Sequence, residues 1–163
     1  MRLSKVAKAS AAELKIPRGE RIRAIGIGPK SYEPREVIAT DRGIYFATET
    51  GPARMTWDQI AKATWEQPWL TITSVKGERT KLYLDPSGEI PPVVRDRVTA
   101  SVLVRERVPL DIGGYVVCIG RREPLGDDIS WILEFGSEEV SKDPRIRDSA
   151  DRALAELRAT LGV

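Results

Sequence analysis

Residues 36–85 restrict what this chain can fold into more than any other stretch. They run through Glu36-Val-Ile-Ala-Thr40, Ile44-Tyr-Phe-Ala-Thr48, Met55-Thr-Trp57, Trp69-Leu-Thr-Ile-Thr73 and Thr80-Lys-Leu-Tyr-Leu84. β-Branched and aromatic residues fill the runs, while Asp-Arg-Gly, Gly-Pro and Lys-Gly steps separate them. A pleated, half-buried surface favours the first set and a tight turn the second, so the stretch predicts an antiparallel meander. Val37, Ile44, Phe46, Leu70, Ile72, Leu82 and Leu84 are expected to line one core within it. A meander is a scaffold for folding and binding and supplies no reaction chemistry of its own.

The flanks read differently. Leu3, Val6, Ala7 and Leu14 fall at helical spacing, with Lys5, Lys8 and Lys15 elsewhere on the wheel, which predicts a short amphipathic helix ended by Pro17. Residues 21–27 read as a strand closed by Gly28-Pro29. Beyond the meander, Pro91-Pro92 suits a helix's first turn, where N–H groups lack intrahelical partners anyway. Val94, Val98 and Val102 then make one apolar stripe, so a helix is expected over 91–102. Residues 103–110, 115–122 and 129–135 read as three strands, the first two joined at Gly113-Gly114. Asp143 as N-cap and Pro144 at the first position open a last helix, and Gly162 stops it. Its core stripe is Ile146, Ala150, Ala153, Leu154, Leu157 and Leu161. The class is therefore α+β, organised as a basic segment over 1–19, a barrel with its capping helix over 20–102, and a β-β-β-α extension over 103–163.

Composition narrows the chemistry. At 163 residues with 41% apolar and 31% charged side chains, the chain suits one full domain or a small domain with an extension. The net charge is +2, yet residues 1–30 hold eight Lys/Arg against two Glu, a net of +6, and the remainder carries −4. There is no histidine, which excludes Ser-His-Asp and Cys-His nucleophiles and most transition-metal sites. The single cysteine, Cys118, allows neither an intramolecular disulfide nor a zinc ribbon and reads as a small buried hydrophobe in a reducing cytoplasm. No run approaches the ~20 apolar residues of a membrane span. The N-terminus has no continuous apolar segment of a secretion signal. A cytoplasmic location is expected.

The block Val37-Ile-Ala-Thr-Asp-Arg-Gly-Ile-Tyr-Phe46, followed by Met55-Thr-Trp-Asp-Gln-Ile60 and then Trp65, resembles bacterial pleckstrin-homology-like (PH-like) domains. In those, a Thr-Asp-Arg hairpin precedes a Trp-Asp-x-Ile turn and a further strand. The tail, residues 98–163, looks like the extension of actinobacterial proteins of this type. The resemblance implies a bent barrel of two packed sheets plugged by a helix, and ligands among phosphoinositides, peptides and proteins. The basic residues here do not follow the spacing of headgroup-binding members, so a protein partner is the expectation.

Several motifs invite function. Gly26-Ile-Gly28-Pro-Lys30 lacks the four-residue spacing and following helix of a phosphate loop, and Pro29 removes a donor, so it reads as a strand end. Asp127-Asp128 and Glu138-Glu139 lack a second ligand cluster and read as solvated charge. Trp57, Trp65 and Trp69 cluster in sequence; burial in a small core is expected, with Trp69 the most exposed and a candidate binding ring. Lys5, Lys8, Lys15, Arg18, Arg21 and Arg23 form the candidate basic surface. The leading expectation is a non-enzymatic protein-interaction or scaffold module with no cofactor. The alternative is a peripheral binder of anionic membrane or nucleic acid through those basic residues. Homo-oligomerisation is left open.

Overall fold

The computed structural model describes residues 5–31, 36–85 and 87–163, with the backbone alone for residues 5–8. Among the described residues the chain is mixed α+β, with three antiparallel sheets and few helices. It divides into two compact units, Met1–Ser101 with Glu123–Gly126, and Val102–Arg122 with Asp127–Val163.

The first unit opens with α1 (Lys5–Glu13). Then come β1 (Ile22–Ile27), β2 (Glu36–Thr40), β3 (Gly43–Thr48) and β4 (Gly51–Thr56), which form one sheet in that order. A single 3-10 turn over Trp57–Gln59 leads into β5 (Ile60–Glu66), β6 (Trp69–Ser74) and β7 (Arg79–Tyr83), the second sheet. The helix α2 (Ile90–Ser101) closes the unit. The expected core residues Val37, Ile44, Phe46, Leu70, Ile72, Leu82 and Leu84 all lie in one buried cluster. That cluster draws on both sheets and on Ile90, Val94 and Val98 of α2. The stripe of α2 is thus one turn earlier than expected, because Val102 already belongs to the following strand.

The turn chemistry accounts for the sequence here. Thr40 Oγ1 accepts from the Arg42 and Gly43 amides at 3.0 and 3.1 Å, closing the β2–β3 hairpin. Asp41 Oδ1 accepts the Arg21 amide at 2.9 Å, tying the hairpin to β1. A Cβ at Gly43 would sit 2.5 Å from the Met55 carbonyl oxygen, so only glycine lets β3 approach β4 there. Downstream, Gln59 Oε1 accepts the Thr56 amide at 3.0 Å and pins the 3-10 turn. The Thr-Asp-Arg-Gly and Trp-Asp-Gln-Ile motifs are therefore joints of the scaffold.

The outer face of the four-stranded sheet is covered as well. Leu14 packs with Ile38 and Tyr45, flanked by Ala11, Ile16, Ile22 and Ile25. α1 ends at Glu13, short of Pro17, the expected stop. Lys15, at φ 53°, takes the left-handed position. Its amide bonds to the Ala12 carbonyl, and the Ile16 amide bonds to the Ala11 carbonyl. This is a Schellman close, with Ile16 and Ala11 supplying the accompanying apolar contact. Leu3 and the side chain of Val6, expected on the same face, lie outside the described residues.

The second unit is a sheet of β8 (Val102–Pro109), β9 (Tyr115–Arg122) and β10 (Ile129–Glu134), in the order β10-β9-β8. It is followed by α3 (Glu138–Lys142), which was not expected, and α4 (Pro144–Leu161). Asp143 Oδ1 caps α4 by accepting the Arg145 amide at 2.9 Å, and Gly162 ends it at φ 72°. Val116, Cys118, Leu110, Ala150 and Ala153 form the core of this unit. Leu154 and Leu157, expected in the core stripe, are half-buried and pack against that core, while Ala150 and Ala153 are the buried residues of α4 within it. No helix among the described residues is long and apolar enough to cross a membrane.

Candidate functional site

Within the first unit, a cleft of about 290 Å³ opens between β5–β6 and the start of α2. Ala63, Trp65 and Leu70 line one side, and Pro91, Pro92 and Arg95 the other, with Ser87 and Gly88 at the end. Trp65 and Leu70 are direct cross-strand partners, so their side chains emerge on one face of the sheet. The two prolines stand in α2's first turn and carry no amide donor. They give the cleft an apolar wall with no backbone N–H that a ligand would have to desolvate. Gly88 holds φ 56° in the turn before α2, where a Cβ would meet the Ile25 carbonyl oxygen at 3.1 Å.

Arg95 is the titratable residue of the lining. It follows Pro91 by four residues, which on a helix puts both on one face. Its Nε lies 3.5 Å from Asp96 Oδ1, and the two side chains are 79% and 72% exposed. Exposed pairs of this kind are worth little, so the guanidinium can exchange that contact for a ligand carboxylate. The cleft thus offers one aromatic ring, an apolar wall and a cation at its rim.

The expected site residues are distributed elsewhere. Lys15 is exposed at the close of α1, and Arg18 is exposed in the turn after it. Arg21 and Arg23 have exposed side chains around the start of β1. The side chains of Lys5 and Lys8 lie outside the described residues. Trp69 is half-buried, its ring edge-on to Tyr83 with centroids 5.0 Å apart. Trp57 is buried in the core, and Trp65 is the tryptophan that reaches the cleft. Sequence reasoning missed Pro91, Pro92 and Arg95 as a group; two prolines followed one helical turn later by an arginine was the available signal.

Two polar nodes are built from residues outside the cleft lining. Glu20, its side chain fully buried, accepts from the Tyr45 hydroxyl at 2.7 Å and from Thr40 Oγ1 at 2.8 Å. Arg54 Nη2 approaches Glu20 to 3.3 Å, and the guanidinium Cζ lies 5.6 Å from the Tyr45 ring centroid. Burial, and then the bond to Glu20, push the Tyr45 hydroxyl well above its ordinary range. In the second unit, Asp111 accepts from Ser149 Oγ and, at 2.7 Å, from Arg152. The Ser149 bond and then the Arg152 bond hold the Asp111 carboxyl below the usual carboxylate range. Cys118 is buried, and burial pushes its thiol up. Asp127, Asp128, Glu138 and Glu139 are exposed, Glu138 pairing with Lys142 at 2.8 Å. No family model, no curated protein and no solved structure matches the chain.

Proposed function

We propose that the chain is a non-enzymatic, cytoplasmic protein-interaction module on a PH-like scaffold. The cleft beside β5 is its docking groove for an extended segment of a partner protein. The observation that carries this reading is the pairing of Trp65 with the Pro91–Pro92 wall, beneath the exposed cation of Arg95. An apolar side chain of the segment sits between ring and prolines, and a neighbouring acidic group meets the guanidinium. Support for the PH-like scaffold comes from element order: seven strands in sheets of four and three, then a helix whose apolar stripe enters their shared core.

The alternative, a binder of anionic membrane or nucleic acid, rests on the exposed side chains of Lys15, Arg18, Arg21 and Arg23. Leu14, just after α1, is packed against Ile38 and Tyr45, which withdraws that apolar side chain from any lipid contact.

A displayed random-peptide library, selected on the wild-type protein and re-tested on Arg95→Glu, checks the proposal. Selected peptides should pair an apolar residue with an acidic one, change Trp65 fluorescence, and bind the variant at least about tenfold more weakly, as the loss of one charge-assisted bond implies. Peptides without acidic bias, or with equal affinity for Arg95→Glu, would overturn it.

A further inference from the structure

The period of two that buries Leu70 and Ile72 turns the intervening residues of β6 to the opposite face of its sheet. Register then assembles that face row by row. Lys62 and Arg79 are the cross-strand partners of Thr73, one on either side. Thr64 and Lys81 flank Thr71 in the same way. The two rows lie two residues apart along β6, about 7 Å, and each spans about 10 Å from β5 to β7. Lys62, Arg79 and Lys81 are exposed, and Thr64, Thr71 and Thr73 are half-buried between them. The row beyond holds Glu66, Trp69 and Tyr83, with the two rings edge to face.

None of the three cations joins an ion pair among the described residues, and Glu66 is the one carboxylate in these rows. Deterring stray strand pairing would account for a charge of either sign on each outer strand, but not for three of one sign. The ammonium and guanidinium groups are donors only, and the threonine hydroxyls between them can donate as well. A phosphodiester backbone brings charged acceptors and asks for no acceptor in return. A peptide segment would bring amide donors that these two rows leave unmet. An anionic membrane would call for large apolar side chains to insert, and the two rows have none. Rings bordering a cationic track are the combination that single strands use, since every base has a face to stack.

We infer that this face of the second sheet binds single-stranded nucleic acid, with phosphates held by Lys62, Arg79 and Lys81 above the threonine hydroxyls. The strand follows β6 toward the Trp69–Tyr83 end, so that successive phosphates fall on successive rows. Charge of this kind gives a salt-sensitive attachment with little preference for base sequence. The surface shares no residue with the docking groove, because Ala63, Trp65 and Leu70 point to the other face of the same strands. It also shares none with the basic residues around α1.

Fluorescence anisotropy of a dye-labelled oligothymidylate of about twelve nucleotides, titrated with the full chain, tests this. The wild-type protein should bind it and lose about 20-fold in affinity over a roughly fourfold rise in salt, as three phosphate contacts at a slope of about 0.7 each imply. The triple variant Lys62→Gln, Arg79→Gln, Lys81→Gln should bind at least about tenfold more weakly, with most of that salt dependence gone and an unchanged circular dichroism spectrum. A second triple variant, Lys15→Gln, Arg18→Gln, Arg21→Gln, removes the same net charge elsewhere and should bind as the wild type does. A wild-type protein that ignores the oligonucleotide would overturn the inference, as would equal affinities in the wild type and the first variant, or equal losses in both variants. So would a duplex of the same length, or a polyglutamate peptide of equal charge, that competes as well as the unlabelled single strand. Should the first variant fail to fold, Lys81→Gln alone decides: it should lose at least about twofold in affinity and about one third of the salt slope, and wild-type values would overturn the inference. Failure here leaves the peptide groove untouched, since that test reads a different surface.

Discussion

The Tyr45 hydroxyl donates to Glu20 Oε1 across 2.7 Å, joining the outer face of the four-stranded sheet to the segment that leads into it. Thr40 and Arg54 complete the shell around the same carboxyl group. A buried acceptor that loses a donor is costly, so Tyr45→Phe should lower stability by about 1–3 kcal/mol. The raised Tyr45 value makes the neutral hydroxyl the folded state's preference. Its contribution is complete below the ordinary tyrosine value of about 10 and declines as the pH climbs beyond it. Denaturant titrations at rising alkaline pH should show that decline in the wild type and a flatter profile in Tyr45→Phe.

Gly26 lies under the core. A Cβ there would come within 2.8 Å of Ile90 Cγ1 and 2.9 Å of Leu84 Cδ2, both on fully buried side chains. Gly26→Ala should therefore destabilise by roughly 1–3 kcal/mol through overpacking. Gly136, with open space around its Cβ direction and no left-handed φ, is the control. Gly136→Ala should be neutral or slightly stabilising in the same urea titration, since alanine narrows the unfolded ensemble.

Lys15 occupies a backbone region that disfavours a Cβ, at φ 53°. Lys15→Gly keeps the Schellman bonds and relieves that strain, and should raise stability by up to about 1 kcal/mol. A fall in melting temperature would show that the lysine side chain holds the turn by a contact of its own.

Asp111 supplies an acid-side signature. Its folded-state value is depressed by Ser149 first and Arg152 second. A depressed value adds stability that is complete above the ordinary aspartate value of about 3.9 and is lost as the pH falls through the folded value. Asp111→Asn should flatten the acid limb of the melting-temperature profile while Asp143, capping α4, keeps the remainder. An unchanged acid limb would mean that other carboxyl groups govern it.

Much of this architecture was legible residue by residue. The expected core of Val37, Ile44, Phe46, Leu70, Ile72, Leu82 and Leu84 is one cluster because period-two patterning and burial coincide along those strands. The Asp143-Pro144 start and the Gly162 stop of α4 were equally plain, since cap chemistry is local. β5 was not among the expected runs: Ile60-Ala-Lys-Ala-Thr-Trp-Glu66 is poor in β-branched residues and is held by its pairing with β6. Gly51-Pro52, read as a break, begins β4, where an outer strand tolerates the missing amide. The cleft was illegible for a different reason. Its walls come from residues 63–70 and 87–95, and Pro91-Pro92 signals a helix start whether or not anything docks there. The sequence clustering of Trp57, Trp65 and Trp69 likewise concealed three separate fates: core, cleft and a cross-strand pair with Tyr83.

From Val37 to Thr40, β2 is closed to solvent on every side. Val37, Ile38, Ala39 and Thr40 are all buried, β1 and β3 flank the strand, and separate apolar clusters cover its two faces. Water therefore reaches the amides of Ile38 and Ala39 only when the sheet itself comes apart. In a hydrogen-exchange experiment these amides should be the slowest clock in the first unit, ticking at the rate of its complete opening. Amides at the exposed start of β7, by Arg79, should exchange through local motion long before. The strand at the heart of the meander thus doubles as a built-in gauge of how often this unit unfolds.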